Sequence, residues 1–182
     1  MAFNVLQRLG LRIAETLPFD YLIVRRSSNQ DIVVQFAQKA VIVRDGQVLL
    51  VQRSSTDPNN PGRWELPGGR MQATDDLDQQ IQREVLEEVG LLVEPAQPLH
   101  MWYWDMPAGR APVRVVAVAR WCQIMSGRES TSNCRSDDHI SRAKWWALSA
   151  LQDVDLISQH RDALSRAHEL MGLRSESTPA TR

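Results

Sequence analysis

The stretch from Leu77 to Val89 is punctuated at both ends, and it constrains the fold more than any other part of the sequence. Asp76 with Gln79 three residues later has the capping-box pattern that opens a helix. Leu77, Ile81, Val85 and Val89 recur every four residues, so such a helix carries one apolar stripe and needs a sheet or helix to bury it. Gly90 stands where a helix ends in the left-handed conformation. The spacing therefore predicts a helix over 77–89. Just upstream, Leu66-Pro67-Gly68-Gly69 predicts a sharp backbone turn that can approach a ligand closely.

The same helix carries Glu84, Glu87 and Glu88. At about 100° per residue these three fall within roughly a 100° arc. Like charges four residues apart destabilise a helix slightly. They also sit near its C-terminal end, the wrong end for anions. A solvated acidic face is the plain explanation for such a run alone. With a glycine turn at fixed distance, a divalent cation explains it better. Hard oxygen donors suit Mg²⁺ or Mn²⁺, with a carbonyl of the glycine turn, that of Gly68, joining the glutamates.

Gly69, five residues, Asp75, seven residues, then Arg83-Glu84-Val85-Leu86-Glu87-Glu88-Val89-Gly90-Leu91 resembles the Nudix box, G-x5-E-x7-R-E-U-x-E-E-x-G-U with U aliphatic. Asp75 stands where the motif has glutamate; every other defined position matches. The resemblance implies an α+β fold, the Nudix α/β/α sandwich, with a mixed sheet and a loop-helix-loop motif. It also implies an enzyme: Mg²⁺-dependent hydrolysis of a nucleoside diphosphate linked to another moiety. By position, Glu84 and Glu88 would be the principal metal ligands and Glu87 a further one. Arg83 would pair with the acid at position 75 and orient the loop, and Asp75 is one methylene short for that contact. Glu87, or an acid outside the motif such as Asp138 beside Asp137, would serve as general base unless metal-bound hydroxide does.

The rest of the chain fills in this outline. Asp45-Gly46 between two β-branched runs signals a hairpin. Segments around "YLIVRR", "IVVQFA", "WEL", "PVRVVAVARWCQI" and "HISRAKWWAL" read as strands, and "LLVEPAQPLHMWYWD" as extended pieces broken by prolines. Leu156, His160, Leu164, Ala167, His168 and Met171 outline a C-terminal helix. Phe3, Val5, Leu6, Leu9, Ile13 and Leu17 outline an N-terminal amphipathic helix, docked on its own domain or on a second subunit of a homodimer. The expected organisation is an extension over 1–36, a catalytic domain over 37–172 and a disordered tail over 173–182.

Partner classes follow from charge and composition. A net charge of -1 gives no basic field for nucleic acid. No apolar run reaches the ~18 residues of a membrane span. Arg8, Arg12 and Glu15 interrupt the N-terminal apolar pattern, which argues against a secretory leader. Cys122 and Cys134 lack metal-ligand spacing and suit a reducing compartment, so a cytoplasmic protein is expected. The partner is then a small nucleotide. Arg53 and Arg63 are candidates to grip its phosphates and Trp102 to stack on its base. Pro107, sixteen residues beyond Leu91, resembles a proline of the ADP-ribose-hydrolysing members, which favours a nucleotide sugar. "QRSSTDPNNPGRWELPGG" resembles instead the pyrophosphohydrolases that clear damaged nucleoside triphosphates. A non-catalytic nucleotide-binding domain is the third reading, and retention of all three glutamates speaks against it.

Overall fold

A computed structural model describes residues 22–25, 31–106, 112–134 and 138–176. The N-terminal apolar segment, Pro107 and Asp137 lie outside the described residues. The strands are β1 (Leu22–Arg25), β2 (Asp31–Arg44), β3 (Gln47–Arg53), β4 (Trp64–Glu65), β5 (Leu91–Met106), β6 (Val113–Gly127) and β7 (Ile140–Ala147). The helices are α1 (Leu77–Val89) and α2 (Arg161–Glu176).

The long strand β2 organises the molecule. Through Val33–Ile42 it runs parallel to β6, which pairs antiparallel with β5. At its start it pairs with β1, and at its end Val43 and Arg44 pair with β3. Strand β3 then carries β4 on one register and β7 on the other. The β2–β3 turn is the predicted Asp45-Gly46 hairpin, with φ of 50° and 74° at its two residues. Positive φ at both central positions matches the twist of the flanking strands.

Alternation along β2 and β3 decides which helix each residue meets. Ala40, Ile42, Leu49 and Val51 pack under Ile81, Val85 and Val89 of α1. Val41, Val48 and Leu50 point the other way, to Ala163, Leu164 and Ala167 of α2. The result is the expected α/β/α arrangement, with a mixed sheet between two helices.

Three local expectations are corrected. The prolines of β5 do not break it: the register shifts between Pro95 and Pro98 and again before His100, and the strand continues. A proline lacks the N–H for one rung, so an irregularity absorbs it. Leu77 is 57% exposed rather than part of the apolar stripe, which Ile81, Val85 and Val89 form without it. Helix α2 starts at Arg161, and His160 belongs to a short 3₁₀ turn before it. Its last residue is Glu176.

Candidate active site

The loop from Pro67 to Met71 is held along the edge of β2, between the positions of β1 and β3. Ala40 N–H donates to the Pro67 carbonyl at 2.8 Å, Gln38 N–H to Gly69 at 3.0 Å, and Met71 N–H to Phe36 at 2.8 Å. Two glycines are needed there for different reasons. Gly68 has φ 122°, and a Cβ on it would run into the Gln38 carbonyl and sit 3.1 Å from Lys39 Cα. A Cβ on Gly69 would collide with the Glu84 carboxylate. One glycine lets the loop lie on the strand behind it; the other leaves room for an acid in front.

Helix α1 supplies that acid and its neighbours. Asp76 caps it, accepting from the N–H groups of Asp78 at 3.0 Å and Gln79 at 3.1 Å. Gly90 closes it with φ 72°. Two buried glutamines fix its start against β2: Gln38 Nε2 donates to Gln80 Oε1 at 2.9 Å and to the Leu77 carbonyl at 2.6 Å. Gln80 Nε2 in turn donates to the Gly69 carbonyl at 3.2 Å. The far end of α1 is thereby aimed at the glycine turn.

Glu88 is only 6% exposed, and its Oε2 accepts from Gly68 N–H at 2.7 Å. Burial pushes its carboxyl up to about 8, against the pull of Lys39 and of the Gly68 N–H. Burial also raises Glu84, opposed by Arg83 and assisted by Glu87. Arg83 Nη1 lies 2.8 Å from Glu84 Oε1 and 3.9 Å from Glu87 Oε2. Its Nη2 is 3.4 Å from Asp75 Oδ2, which also accepts from Gln72 N–H at 2.9 Å. The contact to Asp75 is present but long, as a side chain one methylene short would make it.

A second layer of charge lies behind the loop, and sequence reasoning missed it. Lys39 Nζ donates to the Gly68 carbonyl at 2.6 Å and to Glu65 Oε2 at 2.9 Å. Both side chains are buried. Glu65 Oε1 accepts from Arg53 at 3.1 Å, and Arg53 is also paired with Asp57. Burial works against the charge on Glu65, but Lys39, followed by the other cations, outweighs it and holds the carboxyl below its ordinary value. His160 Nδ1 accepts from Leu66 N–H at 3.2 Å, so the neutral ring carries its proton on Nε2. Burial pushes this imidazole down to about 3; at 3.8 Å from Glu65 it is therefore not an ion-pair partner.

The structure brings Gly68, Arg83, Glu84, Glu87 and Glu88 together. Asp138 lies near Cys134, whose Sγ donates to the Glu88 carbonyl at 3.2 Å. Burial first, then the charges of Glu88 and Asp138, push the nearby Cys134 thiol up to about 11. Arg53 reaches the site only through Glu65. Arg63 donates to Asp155 at 3.2 Å and to the Leu156 carbonyl at 2.7 Å, on the α2 side. Trp102 packs on the same side, its ring 5.2 Å from His160 and 6.0 Å from His100. Its indole N–H has no acceptor among the described residues.

Among the described residues no three acidic, histidine or cysteine side chains form a ready cation cage. Arg83 draws Glu84 and Glu87 to itself, and Gly68 N–H draws Glu88. The donor set still fits a hard divalent cation: hard carboxylate oxygens, one of them on a buried acid whose charge Lys39 and the Gly68 N–H offset only in part. No described helix is long and apolar enough to cross a membrane.

A mixed sheet between two helices, with an acid-bearing helix aimed at a glycine turn, defines a hydrolase of the Nudix class. The NUDIX domain model matches residues 36–167, and the chain belongs to that family. A Mycobacterium tuberculosis protein named "Putative 8-oxo-dGTP diphosphatase 2" is 42% identical over 130 residues, 70% of this chain and 83% of that one. The 8-oxo-dGDP phosphatase NUDT18 of Danio rerio is 31% identical over 100 residues, 55% of this chain; the match spans only 28% of its own length. Among solved structures, a MutT NUDIX hydrolase from Burkholderia pseudomallei superposes with a TM-score of 0.56 at 28% identity, over 73% of this chain and 97% of that one.

Proposed function

We propose that this Nudix hydrolase cleaves a phosphoanhydride bond of a nucleotide with Mg²⁺, and that its substrate class is the oxidised purine nucleoside triphosphates. The observation that carries the chemistry is Glu88, a buried acid at the C-terminal end of α1 held by a single backbone N–H. Glu84 and Glu88, with Glu87 and the Gly68 carbonyl, would hold the ion. Bound there, Mg²⁺ withdraws charge from phosphoryl oxygens and acidifies water. The Gly68 carbonyl already accepts from Lys39 and keeps a second lone pair for a metal.

The chain's own groups do the rest. Arg83 holds Glu84 and Glu87 in one orientation, and Gly68 N–H holds Glu88. Gly69, lacking a side chain, keeps the Glu84 carboxylate accessible. Glu87, half-buried and 3.9 Å from Arg83, takes the proton of the attacking water; Asp138 is the alternative base. A reducing, cytoplasmic setting suits the free thiols of Cys122 and Cys134.

Support for the substrate class comes from the 42% identity to the mycobacterial protein. On that support we place this class ahead of the nucleotide-sugar reading, whose marker Pro107 lies outside the described residues. The test is a substrate panel with Mg²⁺: 8-oxo-dGTP, 8-oxo-dGDP, dGTP, CTP and ADP-ribose. The highest kcat/KM is expected for 8-oxo-dGTP. A preference for ADP-ribose would remove the substrate class and leave the chemistry standing; no hydrolysis of any member would remove both.

A further inference from the structure

The successive peptide groups of the glycine turn are not held alike. The one between Pro67 and Gly68 is fixed on both sides: its carbonyl accepts from Ala40 N–H at 2.8 Å, and its N–H donates to Glu88 at 2.7 Å. The carbonyl of the one between Gly69 and Arg70 accepts from Gln38 N–H at 3.0 Å and from Gln80 Nε2 at 3.2 Å. Between them lies the peptide joining Gly68 to Gly69, and among the described residues no backbone group reaches it. The reason is the alternation of a strand. The N–H groups of Gln38 and Ala40 point to the loop, while Lys39 between them faces β6, where it pairs with Ala119. The side chain of Lys39 takes the place of the missing N–H, and its Nζ donates to the Gly68 carbonyl at 2.6 Å. This middle peptide also has the least resistance of its own to turning over. A flip changes ψ of its first residue and φ of its second, and both are glycines, which occupy either half of the map at little cost.

We propose that Lys39 is a positioning residue that locks the Gly68–Gly69 peptide with its carbonyl in one orientation. The lysine is itself fixed. Its side chain is buried, and Nζ is paired with Glu65 Oε2 at 2.9 Å. The other oxygen of Glu65 is held by Arg53 at 3.1 Å. That pairing also explains how a lysine can stand beside a cation site. An ammonium alone would repel the ion; with a carboxylate against it, the charge added to the site is close to zero. Lys39 and Glu65 thus deliver a hydrogen-bond donor without net charge. If the peptide turned over, Gly69 N–H would stand where the Gly68 carbonyl was, and a donor would face a cation that needs an oxygen. This consequence rests on the reading of the Gly68 carbonyl as a metal ligand. The lock does not, because it belongs to the metal-free protein.

Lys39→Met alone leaves Glu65 buried without this cation, so the test uses the full-length double variant Lys39→Met/Glu65→Leu. It removes one charge of each sign and leaves Arg53 paired with Asp57. In the metal-free protein, NMR order parameters and relaxation dispersion at the Gly69 amide together cover fast and μs–ms motion. We expect a rigid Gly69 in the parent and a mobile one in the variant, with the Gln38 and Ala40 amides unchanged. A rigid Gly69 in the variant would overturn the lock. So would mobility spread equally over Gln38 and Ala40, which would mean general loosening. Mn²⁺ binding without nucleotide, read from the electron paramagnetic resonance signal of the free ion, measures the consequence. Net charge is the same in both proteins, so electrostatics alone predicts equal affinity. Loss of the lock predicts a fall of about tenfold or more. Equal or tighter binding in the variant would overturn the positioning role. A parent that binds no Mn²⁺ would instead remove the metal reading proposed above, and the relaxation data would still decide the lock.

Discussion

The two ends of the catalytic loop are built differently. At the inner end, Pro67 and Gly69 give their carbonyls to β2, and the Gly68 peptide is engaged on both sides, its N–H by Glu88 and its carbonyl by Lys39. His160 holds the Leu66 N–H that leads into it. At the outer end, the turn over 72–75 is closed by Asp75 upon itself and meets α1 at a 3.4 Å contact to Arg83. Rigidity is thus concentrated where Glu84 and Glu88 meet the glycines. The departure from the family motif lies at the loose end, where it costs least.

The strongest attack on this contrast is Glu88→Gln. It should lower kcat by several orders of magnitude, because an amide cannot supply an anionic ligand. The metal-free variant should be at least as stable as the parent, since it removes a buried acid while its amide oxygen still accepts from Gly68 N–H. Unchanged turnover in a steady-state assay would remove the metal role. Lys39→Met attacks the layer behind. Breaking a buried ion pair costs about 3 kcal/mol, and denaturant unfolding should show a loss of that order. Pairing it with Glu65→Leu should recover part of the loss; strict additivity in the cycle would mean that the two side chains do not work as a unit.

The pH dependence sharpens the contrast further. The Glu88 carboxyl titrates near 4.5 when unfolded and at about 8 when folded. Between those values the unfolded chain gives up a proton that the folded one keeps. Metal-free stability should therefore fall as pH rises across that window. Glu88→Gln should flatten the slope there, and added Mg²⁺ should reverse it. His160 acts in the opposite sense: neutral when folded down to about 3, and charged below 6.5 when unfolded, it removes stability as pH drops between those values. Thermal midpoints over a pH series, with and without Mg²⁺, separate the two contributions.

How far the sequence reveals this site depends on how local each feature is. The bounds of α1, its Asp76 cap, Gly90 and the Asp45-Gly46 turn are all set by neighbours within a few residues, and the pattern shows them. The layer behind the loop is not local. Leu66 meets His160 across 94 residues, and Lys39 meets Glu65 across 26. One signal was available: Lys39 shares the odd-numbered positions of β2 with Ala37 and Val41, where alternation demands burial. A lysine at a buried position needs an acid, and Glu65 in "WEL" is the nearest in the fold. Nor does anything local show that Arg53 pairs with Asp57 and Glu65.

The mildest probe is Asp75→Glu, which supplies the family residue at the loose end. The added methylene brings the carboxylate within normal reach of Arg83, at the expense of its bond to Gln72 N–H. Arg83 is about one-third exposed, so solvent screens the pair; an exposed pair gains about 0.5 kcal/mol, partly offset by the weakened turn. We therefore expect a rise in thermal midpoint of a degree or two and a change in kcat of less than about twofold. A tenfold gain in kcat would show that the outer end, and not only the pinned inner end, sets the geometry of Glu84 and Glu87. The contrast between the two ends would then be one of degree, with Arg83 carrying changes at position 75 into the carboxylates it holds.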